Sequence, residues 1–231
     1  MSGRLRVLIE EAPKGKRWVA IAADWPGLER NGPSEAAAIE KLLTYVPRYL
    51  KVARRARLGA ELERQDEHEV VGRHTGTGST DFWGISFAPS DEDREPMDPA
   101  TFERNASLLR AAWAEFDEVA RGVSAELRKG PRGGGRSRDE IVGHVLRVES
   151  GDFARRVGVP EPAEWQELLP AKGRTAHRDQ FIEAMRAWPA EEKPLGKWTL
   201  PYLLRHAAYH VLDHAWEMED RDLTEPASAH G

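Results

Sequence analysis

Three histidines recur at four-residue spacing near the end of the chain, His206, His210 and His214 in LLRHAAYHVLDHAWEMEDR, and a fourth, His144, sits in the separate stretch IVGHVLRVES. If both stretches are helices, imidazoles from the two can converge on one point, which is how a four-helix bundle holds a divalent metal. A four-residue step turns about 400° around an α-helix, so neighbours in the series stack with roughly 40° of drift and can share one ion. An eight-residue step drifts about 80°, which keeps His206 and His214 from ligating the same metal on a straight helix. His210 belongs to either pair. Because His206 is about one turn from the expected helix start at Thr199-Leu200-Pro201 and His214 lies deeper, His210 with His214 is the preferred pair and His206 the alternative ligand.

The stretch SRDEIVGHVLRVES has its own start signal. Ser137 followed three residues later by Glu140 is a capping box, and Ile141, Val145 and Val148 continue as an apolar stripe on which His144 lies. A buried imidazole without a partner costs on the order of 1–3 kcal/mol. A lone histidine there is ordinarily a core residue bonded to a carbonyl or carboxylate. Set beside the HxxxH pair of the later helix, it points instead to a metal.

The run HVLDHAWEMEDR, together with a histidine near the middle of the second helical stretch in HVLRVESGDFARRVG, resembles the DinB-like metalloenzyme superfamily over residues 97–223. The resemblance implies an up-and-down four-helix bundle with a divalent metal on His144, His210 and His214 and an open position for water or substrate. The superfamily includes thiol-dependent S-transferases and a mycothiol-dependent isomerase. It therefore implies a small-molecule substrate, a low-molecular-weight thiol as cosubstrate, transfer of that thiol as the reaction, with hydrolysis or isomerisation as alternatives, and a homodimer. Zinc is the default ion for imidazole ligands, and nickel, iron and manganese accept the same donors.

Composition narrows the chemistry. The 231-residue chain has no cysteine, which removes disulfides, thiolate metal sites and a cysteine nucleophile; thiol chemistry would need a thiol brought by a cosubstrate. A formal net charge of −5 argues against a general nucleic-acid binder. No apolar run reaches membrane-span length and MSGRLRVLIEEA lacks a secretory apolar segment, so a soluble, cytoplasmic protein with no membrane partner is expected. The preponderance of arginine over lysine and the frequent alanine fit a GC-rich bacterial genome.

The overall expectation is an α+β protein, with a small N-terminal β-β-α unit in a domain over residues 1–75, a linker over 76–97 and a four-helix bundle over 98–231. RLRVLIEEA and RWVAIAADW read as strands, and a helix follows with Ile39, Leu42, Leu43, Val46, Leu50 and Ala53 on its apolar stripe, Ser34 as cap and a kink at Pro47. EHEVVGRHTG or TDFWGISFA would supply a further strand. This segment, through Asp24-Trp25-Pro26-Gly27 and Ser34-Glu35-Ala36, resembles HicB-like antitoxin domains over residues 4–54, which implies a non-catalytic module that binds a protein partner. That gives a second functional reading, a metal-binding or sensor protein with a partner-binding module. HTGTGST lacks the lysine of a phosphate loop and is not expected to open a helix. Helices are expected from Asp98-Pro99, from Ser137, from Thr175 as far as Pro189, and from Thr199 to Asp220.

Other residues have two readings each. Asp152, eight residues after His144, is the candidate general base or, alternatively, solvated helix surface. Glu217, three residues from His214, either orients its ring or joins the charge run at the helix end. Arg205 and Arg221 flank the histidines and would hold a substrate carboxylate or form surface ion pairs. Trp113, Trp188 and Trp216 sit at helical spacing among aliphatic residues and read as core. His68, His74, His177 and His230 have no partner at ligand spacing.

Overall fold

The computed structural model describes residues 3–130, 135–188 and 195–224. It is a mixed α+β protein with a four-stranded sheet and, among the described residues, seven α-helices. Its contacts fall into two compact units, each drawn from two stretches of chain: Met1–Ala112 with Arg186–Tyr209, and Trp113–Met185 with His210–Gly231. No helix of the described residues is long and apolar enough to cross a membrane.

The first unit carries the sheet. Strands β1 (Gly3–Glu11), β2 (Trp18–Ala22) and β3 (Glu29–Gly32) form an antiparallel meander, and β4 (Gln65–Thr75) joins the free edge of β1 in parallel, giving the order β3-β2-β1-β4. A parallel neighbour needs a long connection, and here it runs through β2, β3, α1 (Glu35–Arg55) and α2 (Gly59–Leu62). Leu5, Val7, Ile9, Val19 and Ile21 are buried, as are Leu42, Tyr49 and Val52 of α1. Ser34 caps α1 by accepting from the Ala37 amide at 3.2 Å. The buried face includes Ala38 and Tyr49, while Leu43, expected on the stripe, is 37% exposed. Pro47 lies within the continuous helix.

Two expectations for this unit are revised. TDFWGISFA is not a strand: Thr77 caps a short helix, α3 (Gly78–Trp83), through a reciprocal capping box with Thr80, so HTGTGST does open a helix. Asn31-Gly32 ends β3, and a Cβ at Gly32 would stand 2.5 Å from the Ala38 amide nitrogen, so glycine is what lets β3 run into α1. The Asp24-Trp25-Pro26-Gly27 turn is built into the core. Trp25 is fully buried, donates through Nε1 to Gln65 Oε1 at 2.7 Å, and meets Tyr49 edge-on, whose hydroxyl donates to the Pro26 carbonyl at 2.8 Å.

The remaining helices are α4 (Pro99–Gly122), α5 (Arg138–Val148), α6 (Ala171–Arg186) and α7 (Leu200–Arg221). Asp98 accepts from the amides of Ala100 and Thr101 at the head of α4. Ser137 and Glu140 form the expected capping box, Ser137 N–H donating to Glu140 Oε2 at 2.7 Å. Thr199 Oγ1 accepts from the Tyr202 amide at the start of α7. The third helix begins at Ala171, four residues before the expected Thr175, with the Pro170 carbonyl accepting the first helical bond from the Arg174 amide. Its expected end at Pro189 lies outside the described residues.

The second unit comprises α5, most of α6, the end of α4 and the end of α7. The buried Arg178 guanidinium of α6 donates to Glu149 at 2.8 Å and to Asp117 of α4 at 3.0 Å, joining three elements by charge-assisted bonds. Trp113, Phe116, Phe181 and Trp216 are buried in this unit. Directly after α5 the chain continues as one π-helical segment, Glu149–Ala154.

Candidate metal centre

The second unit contains the one group of three residues, among those described, whose side chains could share an ion: His144 of α5 with His210 and His214 of α7, all ligand atoms lying within 4.8 Å of one another. The four-residue spacing puts His210 and His214 on one face of α7, with ring centroids 4.8 Å apart, and His144 faces both at 5.2 and 4.9 Å. The Nε2 atoms of His144 and His210 are 3.2 Å apart. Two metal–nitrogen bonds of about 2.0–2.1 Å at a tetrahedral angle set two ligand nitrogens about 3.3 Å apart, so this spacing suits a chelate.

The outer nitrogen of His214 is already engaged. Its Nδ1 is 2.9 Å from Glu217 Oε2, which leaves Nε2 as the ligand atom. Arg136 donates to the same Glu217 oxygen at 2.8 Å and Arg221 pairs with the other carboxylate oxygen at 2.9 Å. Burial works against ionisation of Glu217, but the His214 bond and the Arg136 and Arg221 charges outweigh it and hold the carboxyl down at about 2. Burial, then the charges of His214, Arg136 and Arg147, hold His144 down at about 4. A neutral imidazole with a free lone pair is the form that binds a metal.

A cavity of about 490 Å³ opens beside His144, with Arg136, Arg147 and Trp165 among its lining. Phe153, from the π-helical segment, covers His210 edge-on at 5.5 Å between centroids.

Not every candidate joins this group. His206 belongs to the first unit, where it is 6% exposed, stacks on Tyr202 at 5.2 Å and meets Trp198 edge-on. Asp152 is half-exposed and accepts from Arg156 at 2.7 Å, outside the three-histidine group. Counting from His144 at 3.6 residues per turn ceases to hold at Glu149, where the wider π turn resets the phase and presents Phe153 to His210. Arg205 is not a surface residue: it is buried and bonded to Asp93 at 2.8 Å, with Glu29 at 3.4 Å. His74, given no role above, sits 3.2 Å from the buried Glu10. Arg136, Arg147, Phe153 and Trp165 went unread because they lie in a break, at the margin of the apolar stripe of α5, in the π turn and at the head of a short 3-10 turn (Trp165–Leu168), where apolar periodicity carries no signal.

Comparison of the chain with family models, with curated proteins and with solved structures returns no match.

Proposed function

We propose that the protein is a divalent-metal-dependent enzyme with His144, His210 and His214 as the ligands, and that it transfers a low-molecular-weight thiol. The observation that carries the metal reading is the 3.2 Å approach of the His144 and His210 Nε2 atoms, with His214 oriented by Glu217 to complete the set. The donor set fits: three imidazoles from two helices, at least one of them held in its ligand tautomer by a carboxylate. Zinc is the expected ion. Bound there, it would supply a positive charge and an open position that lower the pKa of a thiol or water.

The chain's own groups have distinct parts. Glu217 keeps the His214 proton on Nδ1, and Arg136 and Arg221 keep Glu217 ionised. Phe153 shields the His210 side from water. The cavity beside His144 supports an enzyme rather than a sealed structural site, since a structural ion has no adjoining space for a reactant. The S-transfer reaction and the assignment of α4 to α7 as a DinB-like bundle rest on the resemblance of the HVLDHAWEMEDR run, and the absence of cysteine is compatible with a thiol supplied from outside.

The test is metal counting joined to an assay. Purified protein should hold about one ion per chain, lost in His210→Ala and His144→Ala, and the reconstituted protein should consume bacterial thiols with electrophilic acceptors only when loaded. Unchanged metal content in both variants would reject the site. Metal bound without turnover of any thiol would reject the transferase reading while leaving the site.

A further inference from the structure

We infer that the cavity beside His144 is the pocket for a substrate carrying a carboxylate next to a planar group, with Arg147 holding the carboxylate and Trp165 the adjoining flat face. This rests on the metal reading above and adds the chemical class of the substrate. Four charged side chains line the cavity, and three are committed elsewhere. Arg136 donates to Glu217 at 2.8 Å, Asp139 accepts from Arg138 at 2.8 Å, and Glu140 accepts from the Ser137 amide and hydroxyl. Arg147 is different: among the described residues no carboxylate lies within ion-pair distance of it.

The Arg147 guanidinium instead lies 4.9 Å over the Trp165 ring. The indole is pressed close to the helix because residue 143 is glycine; a Cβ there would be 2.9 Å from the indole edge and 3.1 Å from an Arg147 nitrogen. Residue 147 is three positions beyond His144, so both share one face of α5 and both line the same space. An uncompensated guanidinium takes a carboxylate through two parallel N–H bonds, and a neighbouring indole favours a flat apolar group beside it. A substrate bound this way has one end on Arg147 and the other toward His144, the one of the three imidazoles that lines the cavity.

Titration of the zinc-loaded full chain with benzohydroxamate, its 3- and 4-carboxy derivatives and the matching carboxamides separates the two ends. The hydroxamate addresses the ion and the ring substituent addresses Arg147. One of the two acids should bind about tenfold or more tightly than its amide. Arg147→Ala should abolish that preference and Arg147→Lys keep part of it, with zinc content and benzohydroxamate affinity unchanged in both. Equal affinity for acid and amide in both isomers, or a preference that survives Arg147→Ala, overturns the inference while the metal reading stands. Failure of the chain to hold zinc through His210 overturns both together.

Discussion

At the scale of single residues the centre depends on Glu217 as much as on its ligands. Among the described residues its carboxylate is the acceptor at His214 Nδ1, and it is itself fixed by Arg136 and Arg221. Glu217→Gln keeps the shape but removes the charge that favours Nδ1–H. Metal affinity should fall by about 10–100-fold, read by competition with a chelating dye. Unchanged affinity would mean that the ring needs no orienting partner. His206→Ala should do the reverse, destabilising the first unit, where the ring stacks on Tyr202, without loss of bound metal. Helical drift made His206 and His214 alternatives beside His210, and distance from the expected helix start ranked His214 first; His214 is the one grouped with His144 and His210. The position of Asp152 was not, since nothing in ESGDFA announces that the chain leaves the α-period there.

Among the elements, α5 matters most, because it alone brings His144 to the pair on α7. Its start is set by two reciprocal side-chain bonds, and the exposed Ser137–Glu140 box was readable from four residues of sequence. Ser137→Ala should cost about 1 kcal/mol of stability, within the usual range for a lost cap, measured as a shift of the urea midpoint at unchanged slope. A change in slope would instead indicate a different unfolded or folded ensemble. Strand β3 shows the opposite case. ERNG has neither alternation nor β-rich composition, and its place in the sheet follows from backbone pairing to β2 and from Arg30 lying over the Tyr45 ring at 3.7 Å. Such contacts with chain remote in sequence leave no local trace. The edge strand β4 was one of two stretches offered as the further strand, and its exposed charged side chains blunt an edge that would otherwise pair with other chains.

For the molecule as a whole, the chain passes between the two units after Ala112 in α4, after Met185 at the end of α6 and after Tyr209 in α7, each inside a helical run with no turn to mark it. The predicted α+β character needed only periodicity; the division needed contacts. The first unit buries three carboxylates, Glu10, Glu29 and Asp93, together with the guanidinium groups of Arg205 and Arg30. Glu10 is held below its ordinary value: burial pushes it up, but donors from His74, Ser86, Thr80 and the Phe87 amide outweigh that. Asp93 is likewise held down against burial by Arg205 and Ser90. Glu29 is pushed up to about 8, by burial first and by the Glu10 and Asp93 charges, with Arg205 opposing. That shift favours the protonated acid in the folded protein at neutral pH. Its folded value lies above the 4.5 of the unfolded chain, so the stability it contributes is complete below pH 4.5 and is lost as pH rises through about 8. Glu10 and Asp93 act oppositely, and their contribution is lost as pH falls through the acid range. Below about pH 6.5 the depressed His144 makes stability rise with pH and opposes Glu29, so the Glu29 decline is read between pH 6.5 and 8, each bound proton allowing a slope of at most about 1.4 kcal/mol per pH unit. Glu29→Gln, which mimics the neutral acid, should flatten this decline and leave the acid-side loss intact. An identical slope in wild type and variant would show that Glu29 is ionised in the folded protein and that Arg205 neutralises both acids at once.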